Sequence, residues 1–213
     1  MGAVTARATW IRAPGPVAAG LRIGLLGGSF NPAHEGHLHV SEVARKRLGL
    51  DYVWWLVSPQ NPLKPPASMA PIGQRIAFAR AIAGRHPRFC VSNIEAEMGT
   101  RYTIDSVTRL KRRFPQLHFV WLMGSDNLLT FHRWRNWQRF LETVPIAIVV
   151  RPGASIMPLI AIARRRFGAV RPERRLATAR PPAFAVLDAR RTQASATALR
   201  LGGLGWFRQR VLH

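Results

Sequence analysis

Two histidines three residues apart, His34 and His37, close the stretch Gly27-Gly28-Ser29-Phe30-Asn31-Pro32-Ala33-His34-Glu35-Gly36-His37. The chemistry these residue types suit is work on phosphates. Glycines let the backbone approach a ligand closely, because they carry no side chain. Backbone N–H groups of a turn, and of the helix N-terminus that follows Gly36-His37, can cradle phosphate oxygens. Imidazolium groups donate hydrogen bonds to phosphoryl oxygens as negative charge builds there. Other readings fit less well. A two-histidine metal site would need an acidic partner at helical spacing, and the single cysteine, Cys90, excludes a multi-cysteine zinc site. No Gly-Lys-Ser/Thr follows the turn, so it is not a Walker loop; Gly-x-Gly-x-x-Gly is absent, so it is not a dinucleotide fingerprint.

Such a turn works only if a strand and a helix hold it. The apolar run 21–26 reads as a buried strand, and 37–48, with Leu38, Val40, Val43, Ala44 and Leu48, has helical spacing. Further strands are expected at Tyr52–Val57, 89–91, 117–123, 145–150 and 183–187. Further helices are expected at Ile72–Ala83, 102–114, 134–141, 157–166 and from 196 onward. Prolines 59, 62, 65, 66 and 71 make 58–71 a long loop. Strands that are continuous apolar runs alternating with helices indicate an α/β fold, a doubly wound (Rossmann-like) domain with a central parallel sheet. The Arg- and Pro-rich stretch 151–182 reads as a surface subdomain or a mobile excursion.

The chain has 213 residues and a mass of 23.9 kDa. That bounds it to a single domain over 21–213, preceded by a disordered extension at 1–20. With 47% apolar and 20% charged residues the chain can bury a core, so general disorder is excluded. No apolar run approaches the roughly 20 residues of a membrane span. One cysteine fits a reducing compartment, the cytoplasm. The net charge is +22, and of the 32 cations only Lys46, Lys64 and Lys111 are lysines. Such a charge admits nucleic-acid binding. Aromatics do not interleave with the clusters Arg164-Arg165-Arg166 and Arg171, Arg174, Arg175, so polyanionic small ligands are the preferred partners and nucleic acid is the rival class. His118 and His132 read as structural or exposed, Trp54 and Trp55 as core, and Cys90 as a small buried residue.

Near the C-terminus stands Ala194-Ser195-Ala196-Thr197-Ala198-Leu199-Arg200. Hydroxyls and a guanidinium at a helix start suit phosphate oxygens. The two stretches together resemble the signatures of the nucleotidyltransferases, strand–GG(S/T)F(D/N)P–x–H–x–G–H–helix and I-S-S-T-x-I/L-R. Ser195, Thr197 and Arg200 match the second; Ala194 and Ala196 depart from it. Middle segments resemble one branch, the bacterial nicotinate-nucleotide adenylyltransferases. They are Gly124-Ser125-Asp126 through Trp134, similar to G-x-D-x-L-x-x-F-x-x-W; Arg101-Tyr102-Thr103-Ile104-Asp105-Ser106, similar to S/T-Y-T-x-x-T/S; and the proline-rich 58–64, where Pro62-Leu63-Lys64 replaces the commoner Pro-Pro-His. The resemblance spans about residues 21–200.

It implies adenylyl transfer from ATP, with Mg²⁺, to nicotinate mononucleotide, giving nicotinate adenine dinucleotide and pyrophosphate. Nicotinamide mononucleotide is the alternative substrate. The implied catalytic residues are His34, His37 and Arg200. ATP would meet Gly27, Gly28, Ser29, Phe30, Asn31, Gly124, Asp126, Ser195 and Thr197, with Arg200 beside the β- and γ-phosphates. The mononucleotide would meet Asn61, Lys64, Tyr102, Thr103 and Trp134, with Trp134 stacked on the pyridine ring or, alternatively, in the core. No protein metal site is implied, since the metal rides on the substrate phosphates, and Asp126 is the only carboxylate expected at the site.

Overall fold

In the computed structural model, residues 11–59, 69–84, 86–150, 156–167 and 171–188 are described. The apolar runs become the parallel strands β1 (Arg22–Gly28), β2 (Tyr52–Val57), β3 (Phe89–Ser92), β4 (His118–Gly124), β5 (Ile146–Val150) and β6 (Phe184–Asp188). They form one six-stranded sheet in the order β3-β2-β1-β4-β5-β6. Every neighbouring pair is parallel. Successive strand residues point to opposite faces. Accordingly Trp54 joins one core cluster and its neighbour Trp55 the other, both fully buried.

Helices cover both faces. On one face lie α1 (Glu35–Leu48) and α2 (Ile72–Ala83), contributing Val40, Val43, Ala44, Ala79 and Ala83. On the other lie α3 (Ile94–Glu97), α4 (Thr103–Arg113), α5 (Ser125–Thr130), α6 (Trp137–Thr143) and α7 (Ile156–Phe167), with Ile104, Val107, Leu128, Phe140 and Phe167 in the core. The strand order reverses between β1 and β4, where crossovers leave in opposite directions. In open parallel sheets the crevice outside the strand ends at that point receives ligands. β1 ends there in Gly27-Gly28 and β4 in Gly124.

The expected fold class is the observed one, with local differences. β1 begins at Arg22, not Leu21, and continues through the glycine pair, because Gly27 and Gly28 pair with Leu56 and Val57. α1 begins at Glu35, since His34 caps it. α6 begins at Trp137 rather than Trp134, because Asn136 takes a left-handed φ of 51° that interrupts helix. The one-turn helix α3 and α5 were not expected. The expected helix from 196 onward lies outside the described residues.

Of the extension expected to be disordered at 1–20, residues 1–10 lie outside the described residues, while 11–20 follow the core. Ile11 and Ala13 pack against the core, Gly20 N–H donates to Gln116 O (2.9 Å), and Gly15 lies so close to Cys90 Sγ and Trp54 that a Cβ there would clash. Cys90 is half-buried under this segment, and burial pushes its thiol pKa up. Within the Arg/Pro stretch α7 covers the opposite face, while the described segment 171–182 packs on α1. Arg47 pairs with Glu173, and Leu176 and Ala177 are buried.

Candidate active site

At the end of β1 the chain turns through Phe30, whose φ of 47° is left-handed. A non-glycine residue adopts this only when its surroundings compel it. Here the Phe30 ring is buried, stacked on Trp55 (centroids 5.2 Å) and against His37 (4.6 Å). The Asn31–Pro32 bond is cis. Asn31 Oδ1 accepts the Ala70 N–H at 3.2 Å.

The two histidines build the start of α1. His34 Nδ1 accepts the Gly36 N–H (3.1 Å), and His37 Nδ1 accepts the His34 N–H (3.2 Å), a reciprocal capping box. Their rings lie 4.0 Å apart, centroid to centroid. With Nδ1 accepting from the backbone, the Nε2 of His34 is the ring nitrogen left to donate to a ligand. His37 Nδ1 also lies 3.3 Å from His34 O, so it accepts the His34 N–H in one tautomer and donates to the His34 carbonyl in the other. A relay from Trp55 Nε1 to Ser41 Oγ (2.8 Å) and from Ser41 to His37 O (2.9 Å) ties this helix start to β2.

Across the sheet lies a cavity of about 630 Å³. Its wall is formed by Gly27, Gly28 and Ser29 from the turn, then Tyr102 and Thr103 at the start of α4, and Trp134 with the edge-on Trp121 (6.0 Å). Tyr102 is the N-cap of α4 and no side chain caps that helix. Arg101, Arg133 and Arg135 bring positive charge, and the Arg135 guanidinium sits over the Tyr102 ring at 4.5 Å. The two glycines serve different ends. A Cβ on Gly27 would come within 2.3 Å of the Trp121 ring, whereas one on Gly28 would meet only Phe30 at 3.5 Å.

The structure thus brings Gly27, Gly28, Ser29, Tyr102, Thr103 and Trp134 to one cavity. Phe30, Asn31, His34 and His37 belong to the α1 side of the same turn and are not in its wall. Gly124 is buried at the N-cap of α5, and Asp126 is exposed on that helix's first turn, outside the wall. The acidic residue in the wall is Glu95, which corrects the expectation that Asp126 was the only site carboxylate. Glu95 is 6% exposed. Burial pushes its pKa up to about 7, partly offset by a hydrogen bond from Ser106. Trp134 is half-buried: it packs against the aromatic cluster and also lines the cavity. Asn61, Lys64, Ser195, Thr197 and Arg200 lie outside the described residues. Among the described residues no three His, Cys, Asp or Glu side chains gather as a metal site.

Sequence reasoning also missed Arg75, a fully buried arginine of α2 bonded to the turn. Its signal was the stripe Arg75-Ala79-Ala83. The small residues at i+4 spacing mark the inward face of α2, and the arginine stands on it.

Comparison with known proteins places this site in context. Residues 25–201 match the cytidylyltransferase-like family. A protein of Parvibaculum lavamentivorans named "Probable nicotinate-nucleotide adenylyltransferase" is 51% identical over 88% of this chain and 94% of its own. One of the same name from Methylorubrum extorquens is 51% identical over 84% of this chain and 99% of its own. Among solved structures, the Plasmodium falciparum nicotinic acid mononucleotide adenylyltransferase complexed with NaAD shares the fold, with a TM-score of 0.63 at 16% identity, over 79% of this chain and 75% of its own.

Proposed function

The chain belongs to the cytidylyltransferase-like family and, within it, to the nicotinate-nucleotide adenylyltransferases, and from that membership we propose the reaction and the residues that carry it. It is a nucleotidyltransferase that transfers the adenylyl group of ATP to nicotinate mononucleotide. A phosphate oxygen of the mononucleotide attacks the α-phosphorus of ATP. The bond from that phosphorus to the bridging oxygen breaks, and pyrophosphate leaves with the electron pair. The products are nicotinate adenine dinucleotide and pyrophosphate. A phosphate dianion is already a nucleophile, so catalysis rests on positioning and charge stabilisation. Mg²⁺ enters with ATP, bound to its phosphate oxygens.

The observation that carries this reading is the shared turn. Gly27, Gly28 and Ser29 belong at once to the histidine-capped loop and to the cavity wall. ATP phosphates on the α1 side and a pyridine mononucleotide on the α4 side would meet across that turn. His34 and His37 donate through Nε2 to the reacting phosphates. The N–H groups of the turn and of early α1 complete the cradle, with Ser195, Thr197 and Arg200 on the β- and γ-phosphates. Asn61 and Lys64 approach the mononucleotide phosphate. Trp134 stacks on the cationic pyridine ring, worth on the order of 1–2 kcal/mol when desolvated. The uncapped start of α4 at Tyr102-Thr103, beside Arg101, receives the nicotinate carboxylate. Asp126 accepts from a ribose or adenine group of ATP.

We read 21–213 as one nucleotidyltransferase domain, a reading supported by the family match over most of it. Among the described residues no helix is long and apolar enough to cross a membrane, and a cytoplasmic location fits a pathway of soluble nucleotides. The test is pyrophosphate release with Mg-ATP, offering nicotinate and nicotinamide mononucleotide separately. Release with the nicotinate substrate alone is expected. Equal release with both would remove carboxylate selection from Tyr102-Thr103, and release with neither would refute the reaction.

A further inference from the structure

Arg75 is 1% exposed, and its guanidinium donates only to main-chain oxygens. Nη1 reaches Ser29 O and Ser58 O, each at 2.7 Å; Nη2 reaches Pro59 O at 2.9 Å; Nε reaches Ala70 O at 2.8 Å. These carbonyls come from the turn after β1, the end of β2 and the approach to α2. No carboxylate pairs with Arg75 among the described residues. Burial lowers its pKa, yet a guanidinium stays charged inside proteins. An apolar side chain would suit that position of α2 better on packing grounds, so the four bonds are what the arginine supplies.

The four acceptors differ in the N–H that their peptide units carry; that of Pro59 belongs to Gln60, which lies outside the described residues. The carbonyls of Ser58 and Ala70 precede Pro59 and Pro71, so their peptide units carry no N–H. The Ser29 carbonyl shares its peptide unit with the N–H of Phe30. In a trans peptide the C=O and N–H point to opposite sides. A guanidinium that holds the Ser29 oxygen therefore directs the Phe30 N–H away from α2. A cationic donor on the oxygen also polarises that peptide and strengthens its N–H as a donor. The left-handed φ of Phe30 is what permits this orientation. Asn31 Oδ1, bonded to the Ala70 N–H, closes a ring of bonds through Ser29, Arg75, Ala70 and Asn31.

We propose that Arg75 is a positioning residue for adenylyl transfer: it locks the Ser29–Phe30 peptide to the ends of the neighbouring segments at Pro59 and Ala70, so that the Phe30 N–H is set for the ATP phosphates before they arrive. Arg75 touches neither substrate; it acts through the turn. This rests on the reaction proposed above for the same site.

Arg75→Lys tests it, because an ammonium keeps the charge but cannot span four carbonyls. The kcat for pyrophosphate release is expected to fall about ten- to a hundredfold. Equilibrium affinity for ATP should stay within about threefold, because the donors are misaimed, not removed. Wild-type kcat in a folded Arg75→Lys enzyme, whatever its melting temperature, would reduce Arg75 to scaffold and overturn the proposal. A second measurement needs no variant and no nicotinate substrate. The ¹⁵N–¹H resonance of Phe30 in the wild-type protein, titrated with Mg-pyrophosphate, should be among the most shifted in the molecule. An unmoved Phe30 amide while other amides of the turn shift would overturn the proposal. Because this readout is independent of the acceptor substrate, failure of the positioning role is distinguishable from failure of the reaction assignment.

Discussion

On the α1 side of the turn the polar groups are bonded to one another; on the α4 side they face a cavity. The first side has the histidine capping box, the Trp55–Ser41–His37 relay and the four bonds of Arg75. The second has a helix start without a side-chain cap, the exposed arginines 101, 133 and 135, and a Trp121 Nε1 buried without a partner. The physical demands explain the contrast. Charge develops on the reacting phosphates, and donors aimed at it accelerate transfer only if they need not reorganise. On the proposed reading the α4 side has to hold a ring and a carboxylate, and there the ligand can supply the missing partners. Substitutions on the first side should therefore act mainly on kcat, and those on the second mainly on KM.

The largest expected effect comes from the bonded side. His37→Ala removes both the proposed phosphate donor and the acceptor of the His34 N–H. Its kcat for pyrophosphate release should fall about 10²–10³-fold, the scale of losing one preorganised donor. Steady-state kinetics against both substrates checks this; a change confined to the KM of the mononucleotide would erase the contrast between the two sides.

Glu95 on the cavity side gives a pH signature. Burial raises its carboxyl from an ordinary 4.5 to about 7 in the fold. The folded state thus holds the proton more tightly than the unfolded chain. The stabilisation is complete below about pH 4.5 and is lost as pH rises through about 7, amounting to about 3 kcal/mol. Glu95→Gln keeps the shape and cannot ionise. Between pH 5 and pH 8 the wild type should lose stability relative to this variant by up to that amount, as read by urea unfolding at each pH. Parallel profiles would show that Glu95 is not buried as a neutral acid.

Trp134→Ala sharpens the comparison with the smallest effect. Loss of the indole should raise the KM for nicotinate mononucleotide about five- to thirtyfold while leaving kcat within a few-fold. An unchanged KM with a fallen kcat would assign Trp134 to the aromatic cluster alone.

The parts of this site that were readable in the sequence are those built from local pattern. Tyr52–Val57 and Ile72–Ala83 are where their periodicity puts them, and the turn sits at a strand end because the run 21–26 leads straight into Gly27-Gly28. What escaped depends on partners distant in the chain or on a single helical turn. Glu95 lies on a four-residue helix, too short to show a period, and its side-chain partner Ser106 stands on α4. Arg75 finds its acceptors up to 46 residues away. The packing of 171–182 on α1 was not readable because its anchor, Arg47, stands 126 residues before Glu173.

The strand order also constrains how the protein is born. β1 lies between β2 and β4, with Arg22 opposite His118. Until β4 has been synthesised, the apolar β1 presents an open edge, and open edges invite pairing with other chains. Gly27 stays bare as well, because the Trp121 ring that packs on it comes from β4. A chain emerging from the ribosome thus carries its signature turn long before it has the strand that gives the turn its second wall. The earliest motif in the sequence belongs to a site that is completed late.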